Sequence, residues 1–174
     1  MNKRNLPKIL CPDPDSFSFE GKKFAKKYSN VDFIKLEQFD FEKKAPFYDA
    51  VLIRFNYKVG KSILFNNSNV KAILSPTTGL DHIDMELAER EKVSVFHLKN
   101  KEKILNKLNA TSELAITLML NLLRNFSPAV ASVRRGNWNA SKFRGFELNK
   151  KSLGIIGLGR LGKKVAKYGK AFGM

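Results

Sequence analysis

Short apolar runs alternate with stretches of helical spacing along the first part of the chain, and this alternation constrains the fold more than any other feature. The run KILC, residues 8–11, stops at Pro12 and Pro14 and reads as a strand entering a loop. Phe17, Phe24 and Tyr28 then recur at helical spacing, with lysines opposite. Residues 31–36 (VDFIKL) alternate apolar and polar as a half-buried strand does, whereas residues 49–55 (DAVLIRF) are more continuously apolar and suit a central strand. A short helix is expected around residues 59–65 and a fourth strand over residues 70–74 (VKAIL). Thr77, Thr78 and Gly79 form a turn, and Asp81 and Asp84 place negative charge at the start of a helix running to about Lys92. Residues 93–98 (VSVFHL) supply a fifth strand. Strands that alternate with helices pair in parallel, so the expected fold is α/β, a single parallel sheet with helices on both faces.

Residues 99–108 are polar and lysine-rich, and the domain boundary is expected there. Beyond it Asn109 or Thr111 can cap a helix with Glu113 in its first turn. From Leu114 to Leu123 that helix is apolar on almost every side, which calls for burial on several faces or against another subunit. Ser127-Pro128 reads as a cap and first-turn proline of a second helix that Gly136 would end. An irregular stretch with Trp138, Phe143 and Phe146 leads to a buried-strand pattern over residues 152–156 (SLGII).

The glycines that follow carry the chemistry. Gly157-Leu158-Gly159-Arg160-Leu161-Gly162 is followed by Leu161, Val165, Tyr168 and Phe172 at the spacing of one helix face. In such a strand–turn–helix unit Gly157 permits the tight turn and Gly159 admits a pyrophosphate close to the backbone. Gly162 lets helix and strand pack, and the free N–H groups near Arg160 and Leu161 face the phosphates. A dinucleotide site also needs an acid roughly 20 residues further on to bind the ribose hydroxyls. The 174 residues end at Met174, before that position, so NAD and NADP are both compatible with the motif.

Composition removes several other classes. One cysteine, Cys11, excludes an intrachain disulfide, and two histidines, His82 and His97, give no zinc-ligand spacing. Asp13 and Asp15 are explained by turn chemistry, and Trp138 and its neighbouring aromatics by packing. No apolar stretch is long enough to span a bilayer, and the N-terminal apolar run is too short for a signal-peptide core. The sequons at Asn109 and Asn139 therefore carry no expectation of glycosylation, and the expected location is the cytoplasm. Lys and Arg total 32 against 16 acids, a formal charge of +16, which raises a nucleic-acid reading. The lysines nevertheless fall in separate pairs along the whole chain, as on a generally basic surface.

Several segments together resemble one family. KSLGIIGLGRLGKKVAKYGKAFGM is similar to the cofactor segment of the D-isomer-specific 2-hydroxyacid dehydrogenases, the family of D-3-phosphoglycerate dehydrogenase. SPTTGLDHIDMELAEREKVSVFHL resembles its substrate-loop segment, NATSELAITLMLNLLRN its interdomain and dimer helix, and RRGNWNASKFRGFEL the arm that follows. The likeness runs from about Leu52 to Met174 in the family's order and spacing, while residues 1–51 fit only in outline. It implies a flavodoxin-like substrate domain over residues 1–103, followed by the truncated start of a Rossmann dinucleotide-binding domain over residues 104–174.

By position, the resemblance places Thr77, Thr78 and Gly79 on the loop whose backbone amides hold the substrate carboxylate. Arg54 falls where some members present a side chain to substrate, although Phe55 follows where members often have a small polar residue. Thr111 falls at the helix start that approaches the nicotinamide. Gly157, Gly159, Arg160, Leu161 and Gly162 fall at the pyrophosphate. The family's catalytic arginine, histidine and paired acid lie downstream of these glycines, so no catalytic residue is assigned in this chain, and His82 and His97 are read as structural. The implied function is NAD-dependent oxidation of a small D-2-hydroxy acid, or reduction of the 2-oxo acid, by a homodimer. A non-catalytic binding or interaction fragment is the alternative, and a basic nucleic-acid-binding protein a third reading.

Overall fold

The computed structural model describes residues 6–65 and 67–174. The chain divides into two compact units, Met1–Glu102 and Lys103–Met174.

The first unit is built on five parallel strands: β1 (Lys8–Cys11), β2 (Asn30–Phe33), β3 (Ala50–Leu52), β4 (Ala72–Ser75) and β5 (Ser94–His97). Their order is β2-β1-β3-β4-β5, the doubly wound order in which the winding reverses between β1 and β3. All five strands expected from the sequence are present and parallel. β1 coincides with its apolar run, whereas β3 ends at Leu52, short of the run that continues to Phe55; the last bond on that side is from Ile53 N–H to Leu74 O at 3.0 Å. The intervening helices are α1 (Phe19–Tyr28), α2 (Gln38–Lys44), α3 (Lys61–Leu64) and α4 (Met85–Arg90). Phe17 lies just outside α1: Ser18 takes the cap position and accepts a hydrogen bond from Gly21 N.

Alternation along the strands sorts the side chains by face. Leu10, Val51 and Ile73 point to a core closed by Phe41 and Ala45, by Ile63 and Leu64, and by Leu87 and Ala88. Ile9, Cys11, Val31 and Ala50 point to the opposite face, where Phe17 and Ala25 of the α1 region pack. Both faces are therefore covered, the second one less completely: Leu52, Ala72 and Leu74 are only partly buried there.

The second unit is helical in its described residues. A short helix α5 (Glu102–Leu105) leads into α6 (Ala110–Leu123), α7 (Phe126–Arg134) and α8 (Arg160–Ala171). Its buried hydrophobic residues are Leu105, Ile116 and Leu148. Two sequence expectations need correction. Residues 152–156 have the composition of a buried strand but do not form one, because no strand of this unit lies alongside to accept their hydrogen bonds. Leu153 and Ile155 are half-buried, while Ile156 is fully exposed.

Helix α7 also begins earlier than Ser127-Pro128 implies. Asn125 precedes it in the left-handed region (φ 48°), and Pro128 falls at its third position, where a missing N–H costs nothing. Asn121 Oδ1 does the capping, accepting from both Ser127 N and Ser127 Oγ at 2.9 Å. Helix α6 is not buried all round: Leu114, Leu118 and Leu122 form an exposed stripe at successive i+4 positions. No single described helix is long and apolar enough to cross a membrane; α6 and α7 meet that test only as a pair bent by 65°.

Candidate functional site

Within the first unit the expected substrate residues gather at the carboxyl ends of β3 and β4. Arg54 follows β3 and Thr77, Thr78 and Gly79 follow β4, and the two strands are paired through Leu52 and Leu74. Phe55 lies over the turn, 3.7 Å from where a Cβ on Gly79 would stand. Parallel sheets bind ligands outside these ends, where loops diverge around the point of reversed winding. At that point the loop after β1 is tied to the loop after β3. Asn56 Nδ2 donates to Asp13 Oδ2 at 3.2 Å, and the Tyr57 hydroxyl sits between the carbonyls of Pro12 and Leu36 at 2.9 and 2.6 Å. Burial is the main reason that hydroxyl's pKa is raised. Arg54 is half-buried and directs a guanidinium nitrogen toward Ser16 O at 3.5 Å.

The turn at residues 77–79 is held from several sides. Leu98 N donates to Thr77 O at 2.9 Å, Ile83 N to Leu80 O at 2.9 Å, and Val59 N to His82 O at 2.8 Å. The Thr77 N–H is engaged with Ser75 O at 2.7 Å. Because a trans peptide sets its C=O and N–H antiparallel, the bond from Leu98 to Thr77 O sends the Thr78 N–H the other way. Among the described residues no acceptor meets the N–H groups of Thr78 and Gly79. The turn thus offers donors to a carboxylate at Thr78 and Gly79. His82 lies beneath it, buried, with its Nε2 3.1 Å from Ser75 Oγ. Burial lowers its pKa against the opposing pull of Asp81, which keeps the imidazole neutral near pH 7.

Within the second unit the glycines have separable roles. A Cβ on Gly162 would stand 2.2 Å from Gly157 O, so this backbone approach excludes any side chain. Gly157 has φ +91°, a left-handed conformation that side chains resist. Gly159 differs from both: its φ is −80° and a Cβ there would meet nothing within 4 Å. Neither conformation nor packing requires a glycine at that position, and the open space beside it is what a bound pyrophosphate needs. Gly159 caps α8 without a side chain, so the N–H groups of Arg160, Leu161 and Gly162 are left at the positive end of the helix. These residues fit a dinucleotide phosphate.

The side chains at this helix start turn elsewhere. Arg160 donates to Leu105 O at 3.0 Å, and Lys164 to the carbonyls of Asn106 and Leu108 at 2.8 Å each and to Asn109 Oδ1. Two cations near a helix N-terminus oppose its dipole, and here carbonyls at the end of α5 and in the next loop compensate them. These bonds tie the glycine turn to the loop entering α6, whose second residue is the exposed Thr111. The partners of Arg160 and Lys164 were not foreseen; the only sequence signal was the basic pair, i and i+4, at the wrong end of a helix. The group of Ser75, Thr77 and His82 was missed as well, since a strand end and a turn bring it together without regular spacing.

Comparison with known proteins places this arrangement. Residues 14–115 match the D-isomer specific 2-hydroxyacid dehydrogenase catalytic domain, and residues 116–174 match the NAD binding domain of the same enzymes. The chain belongs to the D-isomer specific 2-hydroxyacid dehydrogenase family. Its NAD-binding sequence includes the whole glycine turn. D-3-phosphoglycerate dehydrogenase of Methanocaldococcus jannaschii is 37% identical over 126 residues, 72% of this chain and 23% of that protein. The Bacillus subtilis enzyme of the same name is 33% identical over 146 residues, 82% of this chain and 27% of that protein. Among solved structures, a phosphoglycerate oxidoreductase from Vibrio cholerae O395 superposes with a TM-score of 0.78 at 22% identity, covering 97% of this chain and 54% of the other. Apo D-lactate dehydrogenase from Escherichia coli gives 0.74 at 24% identity, covering 96% and 53%. The chain therefore spans about a quarter of the length of these curated relatives and about half that of the solved ones.

Proposed function

We propose that this sequence serves an NAD-dependent dehydrogenase that interconverts a small D-2-hydroxy acid and its 2-oxo acid. The observation that carries the reading is the contrast between Gly162, pressed on Gly157 O, and Gly159, a glycine with no structural need to be one. Together with membership of the family, it makes the turn a seat for the cofactor's pyrophosphate on the amides of Arg160, Leu161 and Gly162. By the family resemblance, Thr111, exposed at the start of α6, is the residue that would approach the nicotinamide. Thr78 and Gly79 N–H groups hold the substrate carboxylate, with Thr77 shaping the turn and Arg54 at its flank. When bound, the cofactor supplies hydride exchange with C2 of the substrate; the residues named here bind and orient. The proton-transfer group and the orienting arginine belong, by the family resemblance, downstream of the glycines. The exposed stripe of Leu114, Leu118 and Leu122 supports a homodimer through α6.

The test is nicotinamide absorbance with matched D- and L-2-hydroxy acids and both NAD and NADP, using the intact enzyme. Turnover confined to D-isomers is expected. Turnover of L-isomers alone, or of none, refutes the reading. A polypeptide of residues 1–174 should show none, since a positioned acid/base group contributes roughly a hundred- to ten-thousandfold.

A further inference from the structure

Four polar groups lie in a row beneath the turn after β4. The Gly79 carbonyl is 2.8 Å from the Thr77 hydroxyl, which is 2.8 Å from the Ser75 hydroxyl, which is 3.1 Å from His82 Nε2. Ser75, Thr77 and His82 are all buried, at 1%, 3% and 8% exposure, so water is not a ready substitute for any partner.

The hydrogens follow by elimination. A carbonyl only accepts, so the single hydroxyl proton of Thr77 goes to Gly79 O. Thr77 Oγ1 must then accept from Ser75, whose own proton is thereby engaged. Ser75 Oγ is left as an acceptor, and His82 Nε2 must carry the hydrogen that meets it. The row is complete only when every hydrogen points toward Gly79 and His82 is protonated on Nε2. A proton on Nδ1 alone would leave two lone pairs facing each other at a buried site.

We propose that His82 is a positioning residue for substrate binding: through Ser75 and Thr77 it holds the Gly79 carbonyl inward and so fixes the turn that presents the Thr78 and Gly79 amides. The proposal rests on the reading of that turn as the carboxylate site. Its mechanical basis is the ring that the Thr77 hydroxyl closes on Gly79 O, which encloses the peptides carrying the Thr78 and Gly79 N–H groups and so fixes their orientation; the inward Gly79 carbonyl itself turns the Leu80 N–H outward. His82 is itself well anchored. Val59 N donates to its carbonyl at 2.8 Å, Asp84 N returns a bond to Val59 O at 2.9 Å, and the Phe55 ring packs edge-on against the imidazole at 5.5 Å. Burial of the imidazole favours the neutral form, for which the tautomer is the one choice that matters.

His82→Leu removes the donor at similar volume, and His82→Gln keeps an N–H at about the same reach. In the intact enzyme His82→Leu should raise KM for the 2-hydroxy acid about tenfold, the scale of one hydrogen bond to a charged group. KM for NAD and kcat should stay within about twofold, and His82→Gln should resemble wild type. If His82→Leu does not fold, Ser75→Ala breaks the same row and should raise the same KM alone. An unchanged substrate KM in either variant, or a glutamine variant as impaired as the leucine one, overturns the proposal. Nitrogen-15 spectra of the imidazole read the tautomer without any activity: Nε2–H is expected, and Nδ1–H refutes the row. Should wild type turn over no 2-hydroxy acid, the dehydrogenase reading fails. The tautomer, with the Thr78 and Gly79 amide shifts in His82→Leu, then still decides whether His82 positions the turn.

Discussion

Gly159 and Gly162 stand three residues apart in one motif, yet the structure assigns them opposite sensitivities, and the pair of substitutions Gly159→Ser and Gly162→Ala separates cofactor binding from folding. At Gly162 an added Cβ meets Gly157 O at 2.2 Å and Ile155 Cγ2 at 3.3 Å. The first distance is more than about 1 Å inside ordinary contact, and because the offending atom is backbone the helix or the turn must move. Overpacking of this kind costs about 1–3 kcal/mol, partly offset by alanine's helix propensity of up to ~1 kcal/mol over glycine. A net loss of about 1–2 kcal/mol is expected, together with weaker NAD binding.

Serine at position 159 meets no atom within 4 Å of its Cβ, at a φ of −80° that any residue adopts. As a helix cap it should stabilise by a few tenths of a kcal/mol, since serine and glycine differ by about that at such a position. Its hydroxyl would accept from Leu161 or Gly162 N–H, the donors proposed for the phosphate, and its Cβ would occupy the phosphate's space. Losing one charge-assisted bond, about 1.5–3 kcal/mol, weakens NAD by at least roughly tenfold. Denaturant midpoints and calorimetric titration of NAD into the intact enzyme measure both quantities. Equal loss of stability in the two variants, or undiminished NAD affinity in Gly159→Ser, would refute the assignment of that open space to the cofactor.

Three further outcomes are expected. Leu118 and Leu122 are 58% and 78% exposed on one face of α6, so their joint replacement by glutamate should shift the intact enzyme toward monomer by sedimentation, with little change in monomer stability. The thiol of Cys11, pushed up to about 11 by burial at the end of β1, should resist alkylation near pH 8 in the native state and react once the protein is unfolded; rapid native labelling would contradict that placement. His82 has a folded pKa below its ordinary 6.5, so the folded state favours the neutral ring. The stability this gives is complete above the unfolded value and is lost as pH falls through the folded one, so His82→Gln should flatten the acid side of the stability–pH curve.

The sheet was legible because its signals are local. Each strand is a short apolar run, and the alternation of Ile9, Leu10 and Cys11 between two cores is visible in four consecutive letters. Residues 152–156 carried the same letters and do not form a strand, for a reason no local pattern records: a strand is defined by its neighbours. The cap of α7 was misread on similar grounds, since the acceptor that replaces Ser127 is Asn121, on the preceding helix. At the site, the glycine turn was legible as a motif and Thr77, Thr78 and Gly79 by resemblance. The row from His82 to Gly79 was not, because it depends on which hydroxyl holds which proton.

The two units differ most in what they leave uncovered. The sheet unit encloses a continuous core from Leu10 to Val93, with Phe41, Val51, Ile53, Ile63 and Ile73 fully buried. The helical unit buries Leu105, Ile116 and Leu148 while exposing Leu114, Leu118, Leu122, Phe126, Trp138, Ile156 and Leu158. Burying one such side chain is worth about 1.5–3 kcal/mol, so surface of this extent has a strong tendency to acquire cover. The exposed residues sort by position into different needs. The α6 leucines form a straight stripe suited to an equivalent stripe under two-fold symmetry. Ile156 and Leu158 flank Gly157 at the proposed cofactor seat, where an apolar wall beside phosphate-binding amides suits a ligand that joins flat rings to a charged bridge. The same residues that leave this unit thinly packed are thus the ones through which partner and cofactor would stabilise it, and NAD should raise its thermal stability more than that of the sheet.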